Sequence, residues 1–570
     1  MTLQQRHKLE LERALKKQLG VTGEDLEAWE LGSYPADGRT VLKFWKMIED
    51  AECIKIVGDY DCDGICAQHI LSQAIKSVYP KKRVSVRTPR RFTEGYGINE
   101  KIAQEIRDTM PVGSLVITVD NGIAAADILE GLAATGYKVV VTDHHELRPG
   151  CRVPDVDMVI DPAVESISNP LEGRYWCGAA VAFKLCEPMI REELAMDLEV
   201  YAGLATVADC MSLREGNWGL VRRSIGAFRA KSAPAALRQL LSALGQDPDF
   251  ANEDSFGFYL GPVFNAPGRL EDRGATEVLK YLANPTTAQC ARLVELNNDR
   301  KRIRDEEYEL VKGELVRSGH VNDCPLWVHV AGLHEGVVGI LAGKLAEEFK
   351  RPAVVLTTRE DGNYVGSARS YGDFNVFEYL SSIDNFLRMG GHPGAAGLSM
   401  TPEAFLEARK HQVNLDRFTA EQETAERMSI RLWEIPGLKA VEDKFTPFGE
   451  GNPRPRFEVE VDVSKEGGRY SGAHLFIIDK GGRFKLTRFN HIPNDLNDKN
   501  HFILTGVIIG NAFNGVETPT FNGEECRDIV DAKELSRSSS KQREGVQVDG
   551  TETVPGGREG GGHERMGVRE

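Results

Sequence analysis

Between Cys53 and Asp161 the chain alternates short apolar runs with segments of helical spacing, and that alternation leaves few folds open. The runs CIKIVGD, RVSVRT, SLVITVDNG, YKVVVTDHH and DMVID have the length of strands. Between them ICAQHILSQAIKSVY, NEKIAQEIRDTM and AAADILEGLAATG carry helical spacing. This predicts an α/β fold built on a parallel sheet with helices on both faces. In open sheets of this kind ligands bind beyond the carboxyl ends of the strands. The reactive side chains of this chain collect there: Asp59, Asp61 and Asp63 after the first run, Asp120 and Asn121 after the third, and Asp143, His144 and His145 after the fourth.

The first strand end, in IKIVGDYDCDGICA, constrains the chemistry most. Alternation puts Asp59, Asp61 and Asp63 on one side of an extended backbone. Like charges that close raise one another's pKa unless cations hold them, so the stretch predicts a divalent-metal site. Asp120 taken alone reads equally well as a helix N-cap. Asp209, in the otherwise apolar GLATVADCMSL, reads either as a cap or as the last ligand, brought in by a helix over the sheet edge.

The remaining sequence divides as follows. Residues 1–50 read as an amphipathic helix, a turn and a helix, packing on the edge of the next domain. Residues 51–285 form the catalytic domain, with a helical stretch from Cys177 to about Ala243 and a Gly/Pro-punctuated loop at GPVFNAPGRLED. Residues 286–320 are one long charged helix, suited to bridging two domains. Residues 321–425 form a second α/β unit with a Gly-rich loop at RMGGHPGAAGLSM. Such loops allow a phosphate close to the backbone. Gly390 and Gly391 belong to that loop, and His334, Ser367, Arg369, Ser370 and His392 are candidates to meet a phosphodiester. Residues 426–535 are β-rich, a small OB-like barrel whose Phe, Arg and Lys suit base stacking beside a phosphate track. Residues 536–570 read as a disordered tail.

Composition bounds the function class. The net charge of −16 argues against a uniformly sticky nucleic-acid binder, although acids that hold metals weaken that objection. The basic clusters Lys81–Arg83 with Arg87, Arg90 and Arg91, then Arg222–Arg223, then Arg300–Arg302 with Arg304 read as solvated faces. Ten scattered cysteines without a CxxC pair imply neither a disulfide framework nor a zinc ribbon. No apolar run reaches the roughly 18 residues of a membrane span, and Met1–Leu19 does not resemble a signal peptide. A reducing, cytoplasmic setting, without a membrane partner, is expected.

VGDYDCDG, VITVDNGI, VTDHHE and TVADC, in that order, resemble the four-motif signature of the DHH phosphoesterase superfamily. FTEGYGIN, WCGAAVAFKL, NAPGR, LHEGVVGILAGKL, GSARS, GGHPGAAGL and PFGEGNPRP further resemble segments of the RecJ single-stranded-DNA exonucleases, in RecJ order, over roughly residues 50 to 510. The resemblance implies a DHH core, a connecting helix, a DHH-associated domain and an OB fold. It implies a monomeric 5′→3′ exonuclease of DNA repair and recombination that releases 5′ mononucleotides with two Mn²⁺ or Mg²⁺ ions. A helicase and a single-strand-binding protein are its expected partners.

Carried over, Asp61 and Asp120 are ligands of one ion, and Asp63, Asp120, His144 and Asp209 of the other. Asp59 supports the first ion, Asp143 orients the site, and His145 faces the scissile phosphate or its water. Arg269, Arg369 and His392 contact phosphates. The family has an arginine where Val263 stands, which predicts the loss of one phosphate or base contact. The rival expectations are a DHH phosphodiesterase for short oligonucleotides or cyclic dinucleotides, and a non-catalytic DNA-binding relative. The long bridge and the PFGEGNP region argue against the first, and the complete set of acids against the second.

Overall fold

The computed structural model describes residues 2–31, 36–147, 150–166, 171, 175–414 and 428–462. Toward the C-terminus it describes 469–471, 474–476, 485–488, 501–513 and 516–528. The proposed tail 536–570 and much of the region expected to stack bases lie outside the described residues.

Three helices come first: α1 (Leu3–Leu19), α2 (Gly23–Leu31) and α3 (Gly38–Asp50). A capping box starts α1, with Thr2 Oγ1 accepting from Gln5 N and Gln5 Oε1 accepting from Thr2 N. The three do not pack as one unit on the next domain, which is what the sequence predicts. α3 does so, burying Phe44, Trp45 and Ile48 in its core, and α2 does so through Trp29, 6.1 Å from Trp218, and Glu30, which accepts from Arg222 and Arg223. Leu11, Leu15 and Leu19 of α1 pack instead with Ile435, Leu438, Phe457 and Phe521, far along the chain. An amphipathic helix announces an apolar face but not which surface will cover it.

The first domain contains β1 (Cys53–Val57), α4 (Cys62–Val78), β2 (Arg83–Arg87), α5 (Glu100–Thr109), β3 (Leu115–Val119), α6 (Ala126–Ala134), β4 (Lys138–Thr142) and β5 (Met158–Ile160). The five strands are parallel in the order β2-β1-β3-β4-β5. Side chains of β3 and β4 alternate between two cores. Leu115, Ile117, Val119 and Val140 face one, and Val116, Val139 and Val141 face the other with Ile102, Ile106 and Leu129. The order reverses between β1 and β3, and the crevice at such a switch point is where ligands bind.

The helices α7 (Gly178–Cys186), α8 (Glu192–Ala208), α9 (Glu215–Arg229) and α10 (Ala235–Ala243) fill the expected helical stretch. GPVFNAPGRLED, a loop by its sequence, is instead largely helical, α11 (Gly261–Leu270), followed by α12 (Gly274–Ala283). Pro262 lies in its first turn, where no N–H is needed. Burial of Val263, Phe264 and Ala266 outweighs the break at Pro267. The charged bridge is one 32-residue helix, α13 (Thr287–Ser318), opened by the Thr286 cap and closed by left-handed Gly319.

The second α/β unit runs β6 (Leu326–His329), α14 (Val338–Phe349), β7 (Ala353–Thr358), β8 (Tyr364–Arg369), α15 (Val376–Ser381), β9 (Phe386–His392), β10 (Ala395–Met400) and α16 (Pro402–Ala408). Its sheet order is β6-β7-β8-β10-β9. The GGH segment therefore ends an edge strand rather than forming a free loop; Gly390 pairs with Gly397 and Gly391 with Ala396.

The C-terminal region holds β11 (Met428–Ile430), α17 (Ile435–Glu442), β12 (Phe457–Asp462), β13 (Arg469–Ser471), β14 (His474–Phe476), β15 (Lys485–Arg488), β16 (His501–Phe513) and β17 (Val516–Asp528). It is β-rich, as expected. Among the described residues its main sheet runs β11-β12-β16-β17-β15, with no pairing that closes it into a barrel.

Candidate metal centre and the arginine cluster facing it

The acids meet just beyond β1, β3 and β4. Asp61 caps α4, its Oδ1 accepting from Asp63 N at 3.1 Å and Gly64 N at 3.0 Å. Asp63 accepts from Gly178 N at 2.6 Å and Ala179 N at 2.7 Å. The first turn of α7 thus points its free N–H groups at this carboxylate. Asp120 is no N-cap, since α6 starts six residues later. Its backbone is left-handed, at φ 59°, a conformation that costs a non-glycine residue of order 1–3 kcal/mol and clusters at functional sites. Gly178 lets it stay there, because a β-carbon at that position would lie 2.6 Å from Asp120 Cβ.

His144 joins the carboxylates. Its Nε2 stands 3.1 Å from Asp120 Oδ1, 3.5 Å from Asp63 Oδ2 and 3.7 Å from Asp209 Oδ2. Asp63, His144 and Asp209 form one group of potential ligands within 4.8 Å, and Asp120, His144 and His145 form another. Asp59 and Asp61 enter neither group. Asp59 is buried beneath the cluster and meets Gly97 N at 3.5 Å. Asp143 is fully engaged: Oδ1 accepts from His144 N at 2.8 Å and holds His145 Nδ1 at 2.7 Å, and Oδ2 accepts from Ile123 N at 2.9 Å.

Burial and mutual repulsion drive the electrostatics. Burial, then Asp61, pushes Asp59 well above the ordinary carboxylate range. Burial, then Asp63 and Asp61, does the same to Asp120 and Asp209. Asp61 is raised by burial and by Asp63. Asp143 goes the other way, because His145 and its hydrogen bonds overcome burial. Burial opposes the charge on His145, yet Asp143 lifts its pKa to about 9. Among the described residues, no lysine or arginine pairs with Asp59, Asp61, Asp63, Asp120 or Asp209. Clustered oxygen donors beside the His144 imidazole, with no lysine or arginine partner among the described residues, fit a hard divalent ion such as Mn²⁺ or Mg²⁺.

A cluster of opposite sign adjoins the acids. Arg269 is pulled down to about 9 by burial and by its neighbours Arg91, Arg369 and Arg300, with Asp61 acting in the other direction. Arg369 is lowered by burial and by Arg91. Arg91 lies over the Tyr60 ring at 4.8 Å. Ser367 Oγ accepts from Arg369 at 2.7 Å, and His334 packs edge-on against Phe92 at 5.8 Å. Arg369, Ala395 and His392 occupy one line across β8, β10 and β9. His392 is thus two strands, about 10 Å, from Arg369, and its Nδ1 accepts from Gly394 N at 3.2 Å. Ser370 spends its hydroxyl on the Phe374 carbonyl. Val263 is fully buried in the core.

Three groups at the site escape sequence reasoning. Arg91 reads in the sequence as part of a solvated face. The hydroxyl of Tyr96 bonds to the Asp120 carbonyl at 3.0 Å and lies 3.3 Å from His145 Nε2. Asn265 Oδ1 accepts from Cys62 N at 2.7 Å, tying α11 to the acidic strand end. The segments FTEGYGIN and NAPGR hold the signal, but only folding brings them to the acids.

Models of two families match the chain: the DHH family N-terminal domain over residues 53–211 and the DHHA1 domain over 325–414. The chain thus carries a DHH domain and a DHHA1 domain. This DHH chain is 32% identical over 465 residues to the single-stranded-DNA-specific exonuclease RecJ of Bacillus subtilis, covering 78% of itself and 57% of that relative. It is 29% identical over 445 residues to RecJ of Dickeya dadantii, covering 72% of itself and 75% of that relative. Its fold matches RecJ of Thermus thermophilus in complex with Mn²⁺ with a TM-score of 0.69 at 23% identity, over 91% of this chain and 78% of that one. An exonuclease RecJ bound to manganese matches with a TM-score of 0.54 at 26% identity, over 66% of this chain and 93% of that one. The chain thus spans 57% of the length of the first of these curated relatives and 75% of the second.

Proposed function

We propose that this DHH chain is a single-stranded-DNA-specific 5′→3′ exonuclease that hydrolyses phosphodiester bonds and releases 5′ mononucleotides. One observation carries the reading: clustered acids and half-buried arginines, which among the described residues form no salt bridge with one another, adjoin, with Asp61 close enough to act on Arg269. A bound cation and a phosphate satisfy both at once.

In this reading Asp61 and Asp120 hold one ion, and Asp63, Asp120, His144 and Asp209 hold the other, with Asp59 in support. When bound, such ions activate water and neutralise charge on the phosphate. Arg91, Arg269 and Arg369, with Ser367, hold a phosphate of the strand. His334 and the Gly390–His392 edge border it, and Ser370 shapes the β8 end through its bond to Phe374. Asp143 holds Nδ1 of His145 and keeps the ring charged, so that Nε2–H faces a phosphate oxygen. In the structure that nitrogen lies 3.3 Å from the Tyr96 hydroxyl, whose place or share a phosphate oxygen would take. Catalysis then rests on positioning and charge rather than on a covalent intermediate.

The β-rich C-terminal region is the OB-like module that tracks the strand. We further place the protein in the cytoplasm as a monomer acting in DNA repair with a helicase and a single-strand-binding protein. The nine described cysteines, all free, support a reducing compartment.

The test is digestion of single strands labelled separately at each end, with Mn²⁺ and Mg²⁺ compared. Mononucleotides released from the 5′ end, with a duplex resistant, are expected. Preference for dinucleotides over long strands, or cutting from the 3′ end, overturns the proposal.

A further inference from the structure

The turn Pro447–Pro455 is far from the acids in sequence, and none of the catalytic or binding roles above falls to it. In the structure it grips the segment that carries Asp209. That residue ends α8, and Cys210 after it is left-handed at φ 54°. Met211 N returns to the Thr206 carbonyl at 3.0 Å, but Leu213 N donates to the Glu450 carbonyl at 2.7 Å. Arg214 Nε donates to the Gly451 carbonyl at 2.8 Å. From the first domain, Asn217 Nδ2 adds a bond to the Ser212 carbonyl at 3.1 Å.

The turn is itself rigid. Asn452 is fully buried and donates to the Phe445 and Pro447 carbonyls at 3.0 and 2.8 Å. Gln18 of α1 donates to Asn452 Oδ1 at 3.0 Å and to the Pro453 carbonyl at 2.7 Å. Arg214 closes the ring by donating to the Gln18 carbonyl at 3.1 Å. Gly451 is left-handed, at φ 70°, and a β-carbon there would press into Ser212 Oγ. A segment leading away from a candidate ligand is thus fixed by two parts of the chain outside the DHH domain.

We propose that the Pro447–Pro455 turn is a positioning element for Asp209. It holds residues 209–214 in register with Asp63 and His144, and so sets the affinity of that group for a divalent cation. The inference rests on Asp209 being a metal ligand, and it adds that the C-terminal region tunes the ion from behind. Groups that orient a ligand commonly change metal affinity by about 10–100-fold when removed.

The experiment measures Mn²⁺ binding to the full chain without DNA, from the free-ion electron paramagnetic resonance signal. Gly451→Ala is expected to weaken one of the two ions about ten-fold and leave the other unchanged. Adding Ser212→Ala should return most of that affinity, because Ser212 Cβ stands 3.3 Å from the added methyl. Arg214→Ala, at an exposed residue, is expected to weaken the same ion by a smaller factor, and kcat should recover at saturating Mn²⁺ in each variant. Unchanged Mn²⁺ affinity in Gly451→Ala and Arg214→Ala, with only the melting temperature lowered, overturns the inference and leaves the turn purely structural. Asp209→Ala separates the two levels. Loss of one ion there upholds the ligand assignment whatever the turn does. Retention of both ions removes the assignment and the inference together.

Discussion

Asp61, Asp63, Asp120 and His144 hang from three neighbouring strands of one sheet, whereas Arg91, Arg269 and Arg369 come from a loop, a helix and a strand in two domains. Both groups crowd like charges under burial, and the shifts run in opposite directions. Asp61 and Asp120 are pushed up, and Arg269 and Arg369 are pulled down. Neither group is neutralised by the other, although Asp61 lies near Arg269. A protein that wanted only stability would pair them; a buried charge left without a partner costs several kcal/mol. In the proposed function, keeping the two pools apart leaves each for a ligand of the opposite sign.

The largest effect should come from the acid side. Asp120→Ala removes the group nearest His144 and is expected to lower turnover by at least about 10³-fold, with strand binding still measurable by gel shift. Activity within ten-fold of the parent would break the contrast, because the cluster would then be structural.

The arginine side should act on binding first. Arg369→Ala is expected to weaken single-strand affinity by about ten-fold and to reduce the slope of log K against log salt by roughly 0.7, the value for one phosphate contact. An unchanged slope removes Arg369 from the phosphate.

The smallest effect is thermodynamic. The folded acids bind protons that the unfolded chain releases, because Asp59, Asp61, Asp120 and Asp209 all have raised pKa values. Without metal, their contribution to stability is greatest below the ordinary carboxylate range and falls as pH rises above about 4. His145, raised to about 9, adds a contribution present below its ordinary value and lost as pH rises toward 9. Bound cations remove the penalty on the acids. The gap in melting temperature between Mn²⁺-loaded and EDTA-treated protein should therefore widen from pH 5 to pH 8. A gap that narrows would show that the acids do not hold the ion.

The same contrast explains what the sequence discloses. Acids at strand ends are local facts: a strand, its exit residue and the next helix lie within a dozen positions, and periodicity reveals them. Arg91 shares its sequence neighbourhood with Arg87, which pairs with Glu94 and Glu105, and nothing local separates the two. GPVFNAPGR looks like a loop because Pro and Gly usually break helices. Burial of Val263 and Phe264 overrides that preference. The GGH glycines indicate close backbone approach, and the approach is to β10.

The packing of α1 also has a consequence for how the chain is made. His7 bonds to Glu434 at 2.8 Å, across 427 positions, and Leu11, Leu15 and Leu19 have their partners beyond residue 430. At about 5–20 residues per second, a ribosome needs roughly 20–90 s to deliver those partners after α1 has emerged. This helix is therefore made long before the surface it docks against. Until it docks, its apolar stripe lacks the partners that cover it, and a nascent chain of this protein offers chaperones that stripe to hold.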